Sequence, residues 1–144
     1  MARYPQLLHA VLETVRPREL AEFYRRLIGL RYRPGDEPPA DDSADDPEWL
    51  VLVDSGGARR LAVLHVDRLP PLADRQPRTT WPQHDFPWQS HVDLTVPDLA
   101  ELRRQRGRAK ALGAELLHDQ AGSHAEPMYA FADPTGHPFC IFVA

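Results

Sequence analysis

The two halves of this chain carry the same order of local signals, and that repetition constrains the fold more than any single motif. In the first half, Leu7 to Val15 (LLHAVLETV) is rich in apolar and β-branched residues and reads as a strand. Pro17 then suits a first helical turn, Leu20, Phe23, Tyr24, Leu27 and Ile28 recur at helical spacing, and Gly29 closes the helix. Short strands are predicted over Leu30 to Arg33, Trp49 to Asp54 and Leu61 to Val66, the last two joined as a hairpin at Ser55-Gly56-Gly57. In the second half, Ser90 to Val96 opens with a strand and Asp98 caps a helix from about Leu99 to Leu112, closed by Gly113. Strands over Ala114 to His118, Met128 to Ala132 and Pro138 to Val143 follow, with Asp133-Pro134-Thr135-Gly136 as the last turn. The echo extends to residues: His9 matches His91, Leu20-Ala21-Glu22-Phe23 matches Leu99-Ala100-Glu101-Leu102, and Gly29 matches Gly113.

This order predicts an α+β fold of two tandem βαβββ modules whose sheets form a curved mixed surface around a cleft. One domain spans residues 1–144, with modules at 5–68 and 89–144 and a connector at 69–88. At 144 residues the chain is long enough to bury a core. Nine of the fifteen prolines cluster from Pro34 to Pro47 and from Pro70 to Pro87, and so mark loops. A net charge of −4 with dispersed basic residues argues against a nucleic-acid or membrane partner. The single cysteine, Cys140, excludes an internal disulfide framework. With no signal-peptide pattern at the start of the sequence given, the expected location is the cytoplasm. The acidic run Asp41 to Asp46 lacks the glycine and terminal glutamate of a calcium loop and reads as solvated.

Chemistry-bearing residues fall on the first and last strands of each module. His9 and His91 lie on the opening strands, and His65 and Cys140 on the closing ones. If the modules are related by a pseudo-twofold, these imidazoles and the thiol converge as borderline-to-soft metal ligands. Strand parity sets Cys140 with Pro138 and Phe142, opposite the better packing face of Phe139, Ile141 and Val143. Simpler alternatives stand beside each reading: Cys140 as a small buried hydrophobe, His9 and His91 bonded to backbone carbonyls, His65 solvated at a strand end. Trp81 and Trp88 in the connector are candidates to close over a ligand, or else to fasten the connector to a sheet edge. Tyr129 is a candidate hydrogen-bond donor into the cleft, and His84, His118, His124 and His137 are expected at the surface.

The run from Leu7-Leu8-His9 through Phe23-Tyr24 to Leu27-Ile28-Gly29-Leu30 resembles the opening of the vicinal oxygen chelate superfamily, which includes glyoxalase I, bleomycin-resistance proteins and extradiol dioxygenases. The ending Ala132 to Cys140 (ADPTGHPFC) is similar to that superfamily's closing hairpin. Within it the chain looks most like the glyoxalase-like proteins common in high-GC Gram-positive bacteria. The resemblance implies metal ligands at His9, His65, His91 and Cys140, for a divalent zinc, nickel, manganese or iron ion. It implies a lyase or isomerase acting on a small oxygenated metabolite, and pairing of chains into a homodimer. Cys140 stands where the metal enzymes usually place a glutamate, which leaves the catalytic base unassigned, since a thiol is a poor substitute for a carboxylate base. The alternative implied by the same family is a metal-free protein that binds or sequesters a small molecule.

Overall fold

The computed structural model describes residues 4–65 and 90–144. The connector expected at 69–88, with Trp81 and Trp88, lies outside the described residues. The chain divides into two compact units, Met1–Gln76 and Pro77–Ala144.

In the first unit, β1 (Ala10–Thr14), β2 (Arg31–Tyr32), β3 (Trp49–Val53) and β4 (Arg59–His65) form one mixed sheet in the order β1-β4-β3-β2. β1 runs parallel to β4, and the remaining pairs are antiparallel. The opening strand is shorter than its apolar run: pairing with β4 begins at Ala10 opposite Leu61, and Leu7 and Leu8 are exposed. β4 itself begins at Arg59, directly after the Asp54–Ala58 turn, so in this register Leu7 has no strand opposite it. The helix α1 (Pro17–Ile28) starts on proline and ends at Gly29 with φ 77, a left-handed conformation that glycine adopts without cost. It buries Leu20, Ala21, Phe23, Tyr24 and Leu27. Leu50, Leu52, Leu61 and Val63, all nearly inaccessible, alternate onto the helix-covered face, each stabilising the fold by about 1.5–3 kcal/mol through burial. Val51, Val53 and Ala62 cluster on the other face, with Trp49 packed against them.

The acidic loop after β2 is exposed for most of its length, yet it is anchored. Arg18 of α1 holds both carboxylate oxygens of Asp45, at 2.6 and 2.9 Å, and the carbonyl of Asp36 at 2.7 Å, with its guanidinium 4.9 Å from the Tyr32 ring centroid. That pairing, against a burial cost, raises the Arg18 pKa further.

The second unit repeats the plan. β5 (Val92–Val96), β6 (Glu115–Asp119), β7 (Met128–Ala132) and β8 (Pro138–Val143) take the order β5-β8-β7-β6, with β5 parallel to β8. The helix α2 (Leu99–Ala111) is capped by the Asp98 side chain, which accepts from the Glu101 N–H at 2.8 Å. Leu102 and Ala109 are its buried residues. The β7–β8 turn closes through Asp133 N–H to His137 C=O at 2.8 Å and Gly136 N–H to Asp133 C=O at 2.9 Å, and Gly136 takes φ 98 as such a turn requires. The α+β fold of two tandem βαβββ modules is therefore observed, module by module. Among the described residues no helix is long and apolar enough to cross a membrane.

Candidate functional site

The side chains of interest in the second unit meet because β5 and β8 run parallel and in register. Asp93 pairs directly with Cys140, and Ala130 of β7 flanks Cys140 on the other side. Alternation then sets His91, one residue before β5, and Asp93 on the same face as Cys140. That face also carries Met128, Ala130 and Phe142, while Phe139 and Ile141 turn the other way, as strand parity predicts. The imidazole Nε2 of His91 is 3.1 Å from Asp93 Oδ1. One ligand atom from each of His91, Asp93 and Cys140 can be chosen so that all lie within 4.8 Å of one another. His91 and Asp93 are exposed and Cys140 is buried.

The electrostatics follow from that placement. Burial pushes the Cys140 thiol up to about 12, aided by the charge of Asp93 and a hydrogen bond to it. Without a cation the thiol therefore keeps its proton and donates it to the carboxylate. A bound cation reverses this preference, because it stabilises the thiolate and the carboxylate together. The donor set, one imidazole nitrogen, one carboxylate oxygen and one sulfur, fits a borderline-soft divalent ion. Its 4.8 Å spread exceeds the roughly 3.5 Å between ligands of a filled zinc site, a gap within reach of one rotamer change of the exposed His91 or Asp93.

The other expected site residues are placed as follows. In the first unit, His65 ends β4 opposite Thr14, whereas His9 immediately precedes β1. By strand alternation His65 shares the helix-covered face with Leu61 and Val63, whereas the His9 ring meets Trp49 on the other face, so this unit does not bring them together. The His9 ring sits 5.7 Å from that of Trp49, tilted by 52°, and its Nδ1 is buried with no hydrogen-bond partner among the described residues. Tyr129 is 2% exposed and turned to the helix-covered face, beside Phe131 and beneath Arg106 of α2, on the side of the sheet opposite Cys140.

Two groups escaped the sequence reading. Asp93 is the carboxylate that Cys140 had seemed to leave out, supplied from the neighbouring strand; the His-x-Asp alternation at 91–93 was the available signal. His137, expected at the surface, is drawn into the β7–β8 turn. Its Nδ1 lies 3.1 and 3.0 Å from the two oxygens of Asp133, a carboxylate with no exposed surface.

Comparison with known proteins agrees with this architecture. A family described as "Glyoxalase-like domain" matches residues 9–142. Among curated proteins, none matches the sequence significantly. A glyoxalase-related enzyme from Fulvimarina pelagi superposes with a TM-score of 0.63 at 21% identity, covering 98% of this chain and 89% of that one. A glyoxalase/bleomycin resistance protein/dioxygenase family enzyme from Burkholderia phytofirmans gives 0.62 at 14% identity, over 94% and 96%. A mutant of the fosfomycin resistance protein FosX from Listeria monocytogenes, complexed with Mn(II) and 1S,2S-dihydroxypropylphosphonic acid, gives 0.60 at 16% identity, over 96% and 92%. At such identities these likenesses establish the fold and leave the chemistry to this chain's own residues.

Proposed function

The chain belongs to the family of glyoxalase-like domains, and from that premise we propose that it is a metal-dependent lyase or isomerase acting on a small oxygenated metabolite. Its metal centre is built on His91, Asp93 and Cys140. The observation that supports this reading is the meeting of three chemically different donors on one sheet face, two of them on directly paired strand positions. Bound there, a divalent ion supplies Lewis acidity to vicinal oxygens of a substrate.

The protein groups have separable roles. Cys140, fixed in the middle of β8 between β5 and β7, is the rigid donor and favours zinc over the oxygen-preferring manganese. Asp93 restores a carboxylate to a face whose thiol is ill suited to move a substrate proton, and is the group assigned to that transfer. His91, held by Asp93, completes the set. His9 and His65, in the first unit, enter only as further donors to be tested. A small-molecule ligand, residence in the reducing cytoplasm and assembly as a homodimer complete the reading, the last measurable by sedimentation.

The test is elemental analysis of protein purified without a metal-affinity tag, before and after incubation with zinc, nickel, manganese or iron. The expected result is one metal per chain, zinc held most tightly, with occupancy lost in Asp93→Ala and Cys140→Ala. Absence of uptake for every metal, together with an unaltered melting temperature, would replace this reading with a metal-free binding protein.

A further inference from the structure

The first unit holds an imidazole and an indole in an arrangement that the metal centre does not use. Trp49 opens β3, and its half-buried indole packs on Val51, Val53 and Ala62, on the face away from α1. The His9 ring approaches it to 5.7 Å. Among the described residues the His9 Nδ1 has no hydrogen-bond partner, although it is buried. A ring nitrogen withdrawn from water and left unpaired is a net cost to the fold, so its place here calls for a partner that the described residues do not supply. The floor beneath Trp49 is formed by Val51, Val53 and Ala62, an apolar surface that suits an uncharged ring.

The geometry points to a small-molecule subsite in the first unit, where an uncharged planar ring lies against Trp49 and a hydroxyl or carbonyl on that ring shares a hydrogen bond with His9 Nδ1. The ligand class is thus a phenol-like or quinone-like aromatic. Trp49 supplies an aromatic contact and His9 the polar discrimination. The subsite uses no residue of the second unit and stands whether or not a metal binds there.

Its test uses 1-naphthol and, as a control lacking the hydroxyl, naphthalene, titrated into the full chain treated with a chelator. The readout is the Trp49 indole N–H resonance, identified by its loss in Trp49→Phe. 1-Naphthol is expected to move that resonance saturably, with naphthalene binding about tenfold more weakly, which is the worth of one neutral hydrogen bond. His9→Phe, which keeps a ring and removes its nitrogens, is expected to erase the difference between the probes, and His9→Gln to recover part of it. A Trp49 resonance unmoved by 1-naphthol overturns the inference, as does naphthalene binding equally well to the unaltered chain. That comparison of the two probes needs no variant and holds even if His9→Phe fails to fold.

Discussion

Replacing Asp133 with alanine removes the acceptor around which the β7–β8 turn is organised. Its carboxylate takes the backbone N–H of Thr135 at 2.9 Å, the N–H of His137 at 3.0 Å and the Thr135 hydroxyl at 3.2 Å, all on Oδ1. His137 Nδ1 adds a contact with each carboxylate oxygen. Because the Asp133 side chain has no exposed surface, water does not replace these bonds without the turn opening. Leaving buried N–H groups unpaired costs about 1–3 kcal/mol each. Allowing for non-additivity, Asp133→Ala should destabilise the fold by about 4 kcal/mol, a large share of a typical total of about 5–15 kcal/mol. Asp133→Asn keeps a carbonyl for the two N–H groups and should lose about 1.5 kcal/mol. Urea unfolding followed by circular dichroism measures both. An alanine variant within about 1 kcal/mol of the parent, at an unchanged m-value, would refute the reasoning. The turn also fixes the register of Ala130 with Cys140, so Asp133→Ala should weaken metal uptake as well.

Other outcomes follow from the same geometry. In chelator-treated protein, Cys140 should react with iodoacetamide at pH 8 far more slowly than a free thiol, since burial and Asp93 hold its pKa at about 12. The linked effect on stability has a definite sign. The unfolded chain loses this proton near its ordinary value of 9.0 and the folded chain near 12, so the contribution is complete below pH 9 and is lost as the pH climbs toward 12. Cys140→Ala should flatten that part of the stability profile, leaving the similar contribution of Tyr32, whose burial also lifts it to about 12. Arg18→Ala should release the acidic loop from α1, read as faster limited proteolysis between residues 34 and 48 while the circular dichroism spectrum stays unchanged. Cys140→Glu, an all-oxygen-and-nitrogen donor set with His91 and Asp93, should shift metal preference from zinc toward manganese in a competition assay.

What the sequence discloses is what depends on local chemistry. Proline at the start of α1, Gly29 at its end, Asp98 at the head of α2 and the Asp133 to Gly136 turn each prescribe a backbone conformation, and the structure follows them. The strands of the closing hairpin are legible for the same reason. The opening strand is overread because apolar composition says nothing about where ladder pairing starts, and pairing with β4 starts only at Ala10. Asp93 is passed over because its importance lies in register. Only the parallel pairing of β5 with β8 sets it beside Cys140, more than forty residues away. Tyr129 is misdirected by a similar limit, since the face covered by α2 is fixed by packing against Phe131 and Arg106. His137 shows the reverse case, a residue of a polar turn that the buried Asp133 draws inward.

The metal centre is tested most directly by cobalt(II), which reports on its own ligands through its absorbance. Added to the chelator-cleared protein, one equivalent should produce the near-ultraviolet sulfur-to-cobalt charge-transfer band of a bound thiolate. That band should vanish in Cys140→Ser and weaken in Asp93→Ala and His91→Ala. A cobalt spectrum without the band, or one indifferent to Cys140→Ser, would contradict the assignment of this face as the metal site.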